Sequence, residues 1–417
     1  MGIKNRLTLM SFRQFFVWGA WLITIGTYCF ATKNWTGAEF GAIFSTMGIA
    51  SLFMPALIGI IADRWVNAEK LYGIVHLISG TFVFGLSLAN TPQSLFWIML
   101  FAMFFYMPTI ALSNSIAYNA LKSNGYDVIK SFPPIRVWGT IGFIVAMWVT
   151  NLTGSKATEY QFYISATASL ILFLFSFSLP KCPPQRDASG SKSWVETFGL
   201  NAFKLFANYK MALFFIFSMF LGAALQLTNA YGDTFLNDFR NNAMYADSFV
   251  VKYSTIIMSI SQISETLFIL AIPFFLKRFG IKNVMLISML AWVLRFGLFA
   301  YGDPQGGLWM IILSCIVYGM AFDFFNISGS LFVETTTDPK IRSSAQGLFM
   351  MMTNGFGAVF GSLASGMIID TYFTSNGQKD WHGIWLTFAI YSLVIAVLFA
   401  IFFKHKHNAN ESASVAH

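Results

Sequence analysis

The most constraining feature of the sequence is a succession of apolar runs, each about 20 residues long, separated by mostly short polar connections. A helix of about 20 residues spans the hydrocarbon core of a bilayer, which is about 30 Å thick. Of the 417 residues, 56% are hydrophobic and 11% are charged, whereas about a quarter are charged in soluble domains. So much apolar surface cannot be buried in one water-soluble core. We therefore predict an all-α polytopic membrane protein surrounded by a lipid bilayer.

The positions of the runs predict twelve transmembrane helices. Their approximate bounds are 9–30, 39–62, 70–90, 95–118, 134–152, 160–179, 210–231, 250–276, 282–301, 308–333, 344–370 and 383–404. The longest polar connection, 180–209, follows the sixth run, and two six-helix bundles joined by one long loop are expected of two-bundle transporters. The predicted domains are an N-terminal bundle over 1–180, a cytoplasmic linker over 181–209, and a C-terminal bundle with a short cytoplasmic tail over 210–417.

Aromatic and charged residues alternate within this linker. In chain order they are Lys192, Trp194, Glu196, Phe198, Phe203, Lys204 and Phe206. The pattern is typical of an amphipathic helix that lies in the membrane interface. A disordered linker is the alternative.

Basic residues indicate the orientation of the helices. If both termini are cytoplasmic, 20 of the 26 Lys and Arg residues fall on the cytoplasmic side, five fall on the opposite side, and Arg295 lies within a helix. Cytoplasmic loops of membrane proteins carry such an excess. The bias predicts cytoplasmic termini and an even number of spans. It also accounts for the formal net charge of +8 without nucleic acid as a partner.

Sequence signals of enzymes, metal sites and disulfides are weak. Cys29, Cys182 and Cys315 are odd in number and far apart, which favours neither a disulfide framework nor a zinc site. The sequence has no HExxH or GxSxG motif that would indicate hydrolytic catalysis. The glycines of 355–361 follow no predicted strand, so we interpret them as small residues for close helix packing rather than as a phosphate loop. We predict a non-enzyme with no metal and no cofactor.

Two acidic residues lie inside apolar runs, where a charged side chain costs about 2.5–3.5 kcal/mol at the bilayer centre on insertion scales. Glu265 and Asp323 are each 15 residues from the outer starts of their predicted helices, Val250 and Leu308. At about 1.5 Å per residue, both lie about 22 Å from that start, so we predict that they share one depth and one polar cavity. The alternative is that either acid forms a structural pair with Arg295 or with hydroxyl groups.

Polar and aromatic residues repeat at helical spacing around these acids. The sets are Arg136, Thr140 and Phe143; Gln226 and Asn229; Gln262 and Glu265; and Tyr318 and Phe322, with Asp323 and Asn326 adjoining. Residues three or four apart share a helix face, so each set predicts one stripe of a cavity lining. Hydrogen bonding between packed helices is the alternative for each amide. For Arg136 the alternative is an ordinary basic residue at a cytoplasmic helix start.

The chemistry of these side chains suggests a class of solute. Gln and Asn each donate and accept hydrogen bonds, which suits the edge of a nucleobase. Tyr and Phe offer flat faces on which a ring can stack, and carboxylates accept hydrogen bonds from vicinal hydroxyls such as those of ribose. A sugar would use the same polar groups. A sugar or drug transporter, a non-transporting receptor and a membrane enzyme therefore stay open as alternatives.

Seven segments, spread from the first helix to the penultimate one, resemble a single family. They are FVWGAWL (16–22), SFPPIRVWGTIGF (131–143), LGAALQLTN (221–229), SISQISETLFIL (259–270), AIPFFLKRFGIKNV (271–284), YGMAFDFFNISGS (318–330) and RSSAQGLFMMMTNGFG (342–357). On these segments the chain resembles the bacterial nucleoside:proton symporters, a branch of the major facilitator superfamily. GIIADRW (59–65) is similar to the GxxxDR core of that superfamily's loop motif, without its following Gly-Arg. This likeness implies a gating role for Asp63 and Arg64 on the cytoplasmic side.

The resemblance implies proton-coupled import of purine and pyrimidine nucleosides by alternating access, in a major facilitator fold. The substrate contacts that it implies are Arg136, Thr140, Phe143, Gln226, Asn229, Gln262, Glu265, Tyr318, Phe322 and Asp323. A symporter also needs a group that takes up and releases a proton. Asp323 is the predicted carrier because its aromatic neighbours should shield it from water, and Glu265, which should chiefly hold ribose hydroxyls, is the second candidate. We expect the transporter to function as a monomer.

Overall fold

The computed structural model describes residues 2–184, 200–339 and 341–405. The chain divides into two compact units, Met1–Thr197 and Phe198–His417. Within the described residues, nearly all of each unit is helical. The strands found there form one short hairpin. The prediction of an all-α chain is therefore confirmed.

The described residues of the first unit form seven α-helices. They are α1 (Ile3–Gly19), α2 (Ile25–Thr27), α3 (Gly37–Arg64), α4 (Ala68–Gly85), α5 (Pro92–Ser123), α6 (Val128–Leu152) and α7 (Tyr160–Ser176). A π-helix, Tyr28–Thr32, continues α2, and short 3-10 helices occupy Leu86–Leu88 and Ser155–Ala157.

The second unit contains seven more α-helices in its described residues. They are α8 (Tyr209–Asp238), α9 (Phe249–Lys252), α10 (Ser254–Tyr301), α11 (Leu308–Thr336), α12 (Arg342–Met350), α13 (Ala358–Phe373) and α14 (Trp381–Phe402). Between them lie 3-10 helices at Leu200–Ala207 and Phe239–Asn241 and a π-helix at Met351–Gly357. The hairpin pairs β1 (Thr374–Ser375) antiparallel with β2 (Gln378–Lys379).

Nine helical stretches of the described ranges are long and apolar enough to cross a membrane. They are Gly37–Arg64, Ala68–Leu88, Pro92–Ser123, Lys130–Leu152, Tyr209–Asn241, Ser254–Tyr301, Leu308–Thr336, Arg342–Phe373 and Trp381–Phe402. Tyr160–Ser176 is also apolar but shorter. The chain is therefore a multi-pass membrane protein.

The longest of these helices contains a break. Gly280 lies inside Ser254–Tyr301 with φ 75° and ψ 167°, a backbone conformation that is almost exclusive to glycine. The break falls between the predicted runs 250–276 and 282–301. One apparent helix of 48 residues thus consists of two membrane-length segments.

The first apolar run does not form one regular helix. α1 ends at Gly19, hydrogen-bonded turns follow, and α2 leads directly into the π-helix Tyr28–Thr32. Gly19 packs closely on α6, because a Cβ at this position would lie 2.6 Å from the Phe143 carbonyl oxygen. Small residues of this kind let two helix backbones approach within a membrane.

Side-chain caps fix where several helices begin. The Thr36 hydroxyl accepts a hydrogen bond from the Glu39 N–H, and the Glu39 carboxylate accepts one from the Thr36 N–H, so α3 starts with a capping box. Thr91 and Ser94 form the equivalent pair at the start of α5. Asn208 caps α8. These caps satisfy N–H groups that have no partner within their own helices.

The predicted interfacial helix of the linker lies largely outside the described residues. Among those described, Leu200–Ala207 forms a 3-10 helix in which Phe206 packs on Phe215, with ring centroids 5.4 Å apart. At the other end of the linker, the Cys182 N–H donates to the Glu69 carboxylate at 2.8 Å. This bond attaches the start of the linker to α4.

We expect Gly280→Ala to lower the melting temperature of the purified protein, because an L-residue in this conformation costs about 1–3 kcal/mol. Gly297→Ala is the matched control: it lies in the same helix, an added Cβ meets open space there, and alanine favours helix over glycine. Thermal unfolding in detergent measures both. Equal melting temperatures for the two variants would contradict this account of the break.

Candidate functional site

The two acids of the second unit are brought together by the contact between α10 and α11. A Cβ at Gly319 would lie 2.6 Å from backbone atoms of Ser264 and 2.7 Å from the Glu265 nitrogen. The helices therefore touch at this glycine. Asp323 follows Gly319 by one helical turn, so it lies within one turn of the contact with Glu265.

The two acids differ in their exposure to solvent. Asp323 is 4% exposed, and its Oδ2 atom is buried without a hydrogen-bond partner among the described residues. Phe324 and Phe325 beside it are buried, and Glu265 is half-buried. An ionised carboxyl in such a site is costly unless it is paired. Asp323 is thus suited to hold a proton, and Glu265 is suited to meet a solute.

Three amide side chains near these helices make no side-chain hydrogen bond with other described residues. The Gln262 Oε1 atom is buried without a hydrogen bond in the described ranges. Gln226 and Asn229, on one face of α8, also make no side-chain hydrogen bond there. Helix-to-helix hydrogen bonding, the alternative for these amides, is therefore not observed for any of the three in these ranges. Because buried polar groups are normally paired, the free amides are expected where a ligand completes the bonding.

An aromatic wall joins α10 and α11. Tyr318 and Phe322 stack with ring centroids 6.0 Å apart and an interplanar angle of 12°. Trp292 meets the Tyr318 ring edge-on at 5.9 Å. Tyr318 and Trp292 are buried, whereas Phe322 is half-buried. The free area of the wall is therefore on Phe322, where a flat ring could stack.

Arg295 is fully buried, and its bonds are to neutral oxygens. Its Nε donates to the Thr228 hydroxyl at 3.1 Å, and its Nη1 donates to the Ser314 carbonyl at 2.7 Å and to the Ser261 hydroxyl at 3.3 Å. The guanidinium also lies 4.7 Å from the Tyr318 ring centroid, a cation–π contact.

These contacts bear on Arg295 as the possible structural partner of the two acids. In the described parts of the chain, the salt bridge observed is Arg342–Glu334, at 2.8 Å. Arg295 is therefore not the counter-ion of Glu265 or Asp323, and it supports the back of the aromatic wall instead.

In the first unit, Arg136 and Phe143 lie against α1. The Arg136 guanidinium is 4.0 Å from the centroid of the Phe15 ring, and Phe143 meets the Trp18 ring edge-on at 6.3 Å. Phe143 is buried, while Arg136 and Thr140 are half-buried. The three predicted residues follow one face of α6, and rings of α1 contact the two ends of that stripe.

A polar cluster holds α1 in place, and the sequence stripes did not include it. The buried side chain of Gln14 donates to the Thr109 hydroxyl at 2.7 Å, and its Oε1 accepts from the Tyr72 hydroxyl at 2.7 Å. His76 Nε2 lies 2.7 Å from the same oxygen, so this nitrogen carries the proton. The Tyr106 hydroxyl donates to the Gln14 carbonyl at 2.9 Å. Gln14 thereby ties α1 to α4 and α5; its sequence signal was an amide inside an apolar run.

Asp63 and Arg64 are exposed at the end of α3. Neither is ion-paired within the described residues, so no bond inside the first unit occupies the predicted gating pair. The same described ranges contain no group of three or more His, Cys, Asp or Glu side chains that could hold a metal ion.

Comparison with known proteins gives full-length matches. The sequence matches the family described as nucleoside H+ symporter over residues 1–408. The nucleoside permease NupG of Escherichia coli (strain K12) is 53% identical over 408 residues, covering 98% of this chain and 97% of that one. The xanthosine permease of the same organism is 53% identical over 409 residues, with the same two coverages.

Solved structures agree with these matches. Crystal structures of the nucleoside transporter NupG and of its D323A mutant superpose with TM-scores of 0.91 and 0.94, at 53% identity, covering 97% of this chain and all of theirs. A bacterial homologue of the human lysosomal transporter Spinster superposes with a TM-score of 0.68 at 13% identity, covering 99% of this chain and 96% of that chain. At such low identity the likeness concerns the fold alone.

We expect Arg295→Lys to destabilise the protein more than Arg295→Met, by about 2–3 kcal/mol. Lysine keeps a buried charge but cannot reproduce the planar fork of the guanidinium, whereas methionine leaves no charge to solvate. Thermal unfolding of both variants in detergent measures the difference. A lysine variant as stable as the methionine variant would show that the observed hydrogen bonds do not stabilise the buried charge.

Proposed function

The chain belongs to the nucleoside H+ symporter family, and we propose that it imports purine and pyrimidine nucleosides together with protons across the inner membrane of a bacterium, by alternating access. It is a transporter of the major facilitator fold and not an enzyme. The observation that carries the proposal is the combination, in the second unit, of a buried carboxyl without a counter-ion and free amides beside an aromatic wall. The carboxyl suits a proton, and the amides and rings suit a nucleoside.

We assign substrate contacts in each unit separately. Those of the second unit are Gln226, Asn229, Gln262, Glu265, Tyr318, Phe322 and Asp323. Those of the first unit are Arg136, Thr140 and Phe143. The amides would bond the base edge, Phe322 would stack on the base, and Glu265 would accept hydrogen bonds from ribose hydroxyls.

Asp323 is the proposed proton carrier. Its burial and its unpaired Oδ2 atom favour a carboxyl that is protonated while it faces the substrate. One proton moving down 100 mV supplies about 2.3 kcal/mol, which supports about a fifty-fold gradient of a neutral solute. Glu265 is the second candidate because it lies at the helix contact one turn from Asp323.

We also propose twelve spans with both termini cytoplasmic. Ser254–Tyr301 counts as two spans because of the break at Gly280, and Tyr160–Ser176 and the N-terminal run add two more to the nine long helices. The distribution of Lys and Arg supports the orientation. Asp63 and Arg64 would act in gating at the cytoplasmic side, and the working unit would be a monomer.

Uptake into proteoliposomes tests the proposed function. Purified protein should accumulate labelled uridine when an inward proton gradient is imposed, and it should only equilibrate uridine without one. Free ribose and free uracil should compete less well than unlabelled uridine, because each offers half of the groups that the site recognises. Uridine accumulation that is the same with and without the proton gradient would rule out proton symport.

The same assay separates the two acids. Asp323→Asn should abolish proton-driven accumulation and leave measurable uridine binding, because the amide cannot exchange a proton. Glu265→Gln should chiefly weaken binding. Asp247→Asn, in the connection before α9, is the matched control and should behave as wild type. If Asp323→Asn still concentrates uridine, the coupling group is not Asp323.

Cysteine labelling tests the orientation. Burial, and then the nearby Glu69 and Asp63 carboxylates, raise the pKa of the Cys182 thiol to about 11, so it stays protonated and unreactive at neutral pH. Cys29 and Cys315 are buried as well. In spheroplasts of cells expressing the protein, an impermeant maleimide should label Gln305→Cys and spare Lys181→Cys until the membrane is permeabilised. Labelling of Lys181→Cys in intact spheroplasts would show that this residue lies outside the cytoplasm and would contradict the proposed topology.

A further inference from the structure

A cavity in the second unit is lined by two asparagines to which the roles above assign nothing. Its lining includes Leu225, Trp292, Phe322, Asn326, Thr353 and Asn354. Trp292 and Phe322 belong to the aromatic wall, Asn326 lies one turn beyond Phe322 on α11, and Asn354 lies in the π-helix Met351–Gly357. Aromatic and amide side chains from several helices thus border one hollow.

Close packing on α8 places the π-helix at this hollow. Gly222 of α8 lies directly against the Thr353 backbone, so that a Cβ there would collide with it. On the other side of the contact, a Cβ at Gly357 would collide with the Met219 carbonyl oxygen. Only small residues allow this approach. The glycines of 355–361 therefore position the π-helix, as their packing interpretation predicted.

The π-helix also changes which side chains face the hollow. Each of its hydrogen-bonded turns contains one residue more than a turn of α-helix, so side chains are displaced around the axis, and such turns occur frequently at functional sites. Thr353 uses its hydroxyl within its own helix, donating to the Phe349 carbonyl at 3.1 Å.

The two amides are free to bond a ligand. Asn326 and Asn354 make no side-chain hydrogen bond in the parts of the chain that the structure describes, and both are half-buried. Neither Glu265 nor Asp323 is among the described residues that line the cavity. The asparagine side chains, and not the two acids, are therefore the groups that can form hydrogen bonds with a ligand in this cavity.

We propose that this cavity binds the nucleobase of the substrate and that Asn326 and Asn354 determine which bases are accepted. Phe322 stacks on the base, and the two asparagines bond polar atoms of the base other than those assigned to Gln226, Asn229 and Gln262. An amide both donates and accepts, so the pair distinguishes bases that present different donors and acceptors at the same position. The inference rests on the proposed nucleoside transport and adds the residues that select among nucleosides.

Uptake of uridine, cytidine and adenosine by Asn326→Ala and Asn354→Ala in proteoliposomes tests the inference. Each variant should raise the KM of at least one nucleoside about tenfold, the loss expected for one hydrogen bond. The ratio of KM values between bases should change, whereas the ratio between uridine and 2′-deoxyuridine should stay as in wild type. Proton-driven accumulation should persist at saturating substrate. Asn283→Ala is the control, because Asn283 is exposed on α10 and bonds the Phe279 carbonyl.

Asn326→Asp and Asn354→Asp provide a second measurement that keeps the side-chain shape. Each removes a donor and keeps acceptors, so cytidine, with an amino group on its base edge, should gain relative to uridine, with a carbonyl there. An equal change for every base, or a change confined to the ribose ratio, would overturn the inference. Wild-type protein that fails to transport any nucleoside would instead overturn the proposed function, so the two failures are distinct.

Discussion

Withdrawing a polar group from water without giving it a new partner is expensive, and this cost sorts the polar residues of the molecule into two kinds. Gln14 and Arg295 are fully buried, and the protein provides them with hydroxyl, carbonyl and ring partners, although the Arg295 Nη2 atom has no hydrogen-bond partner among the described residues. Asp323 and Gln262 are buried to nearly the same degree, yet each retains an oxygen without a partner in the described residues. The first kind holds helices together, and we propose that Asp323 binds a proton and Gln262 a solute. The two kinds of residue differ in their hydrogen bonds and not in their degree of burial.

Buried polar residues with partners and those without lie on the same helices. The residues with partners therefore fix the positions of the helices that carry the candidate site. In the second unit, Arg295 approaches the Tyr318 ring at the back of the aromatic wall, and Phe322 remains partly open at its end. In the first unit, the Gln14 cluster fixes α1, and α1 supplies the rings that contact Arg136 and Phe143. Structural hydrogen bonding on one face of a helix thus determines the place of functional side chains on another face. A defect in either cluster would therefore displace the proposed substrate contacts, although neither cluster contains one of them.

Much of the fold and part of the site follow from patterns in the sequence. Apolar length identified the nine long apolar helices of the described ranges. Helical spacing grouped Gln262 with Glu265 and predicted one depth for both acids, and the contact of Gly319 with the Glu265 backbone lies one helical turn from Asp323. Spacing could not find the partners of Arg295, because a threonine hydroxyl, a serine hydroxyl and a backbone carbonyl leave no charge pattern. It could not find Gln14 either, because a single amide has no period. The conformation of Gly280 could not be predicted from spacing either, because it is a property of one residue's backbone. The predicted linker helix lies mostly outside the described residues.

The π-helix Met351–Gly357 has a consequence for chain length. Because its turns hold one residue more than an α-helical turn, the segment contains a surplus residue that the neighbouring helices α12 and α13 do not need. A relative lacking that one residue could close the segment into ordinary α-helix while keeping both flanking helices in their places. Thr353 and Asn354 would then rotate away from the hollow. The loss of a single residue would therefore change both the side chains that line the cavity and the close contact of this segment with Gly222 of α8.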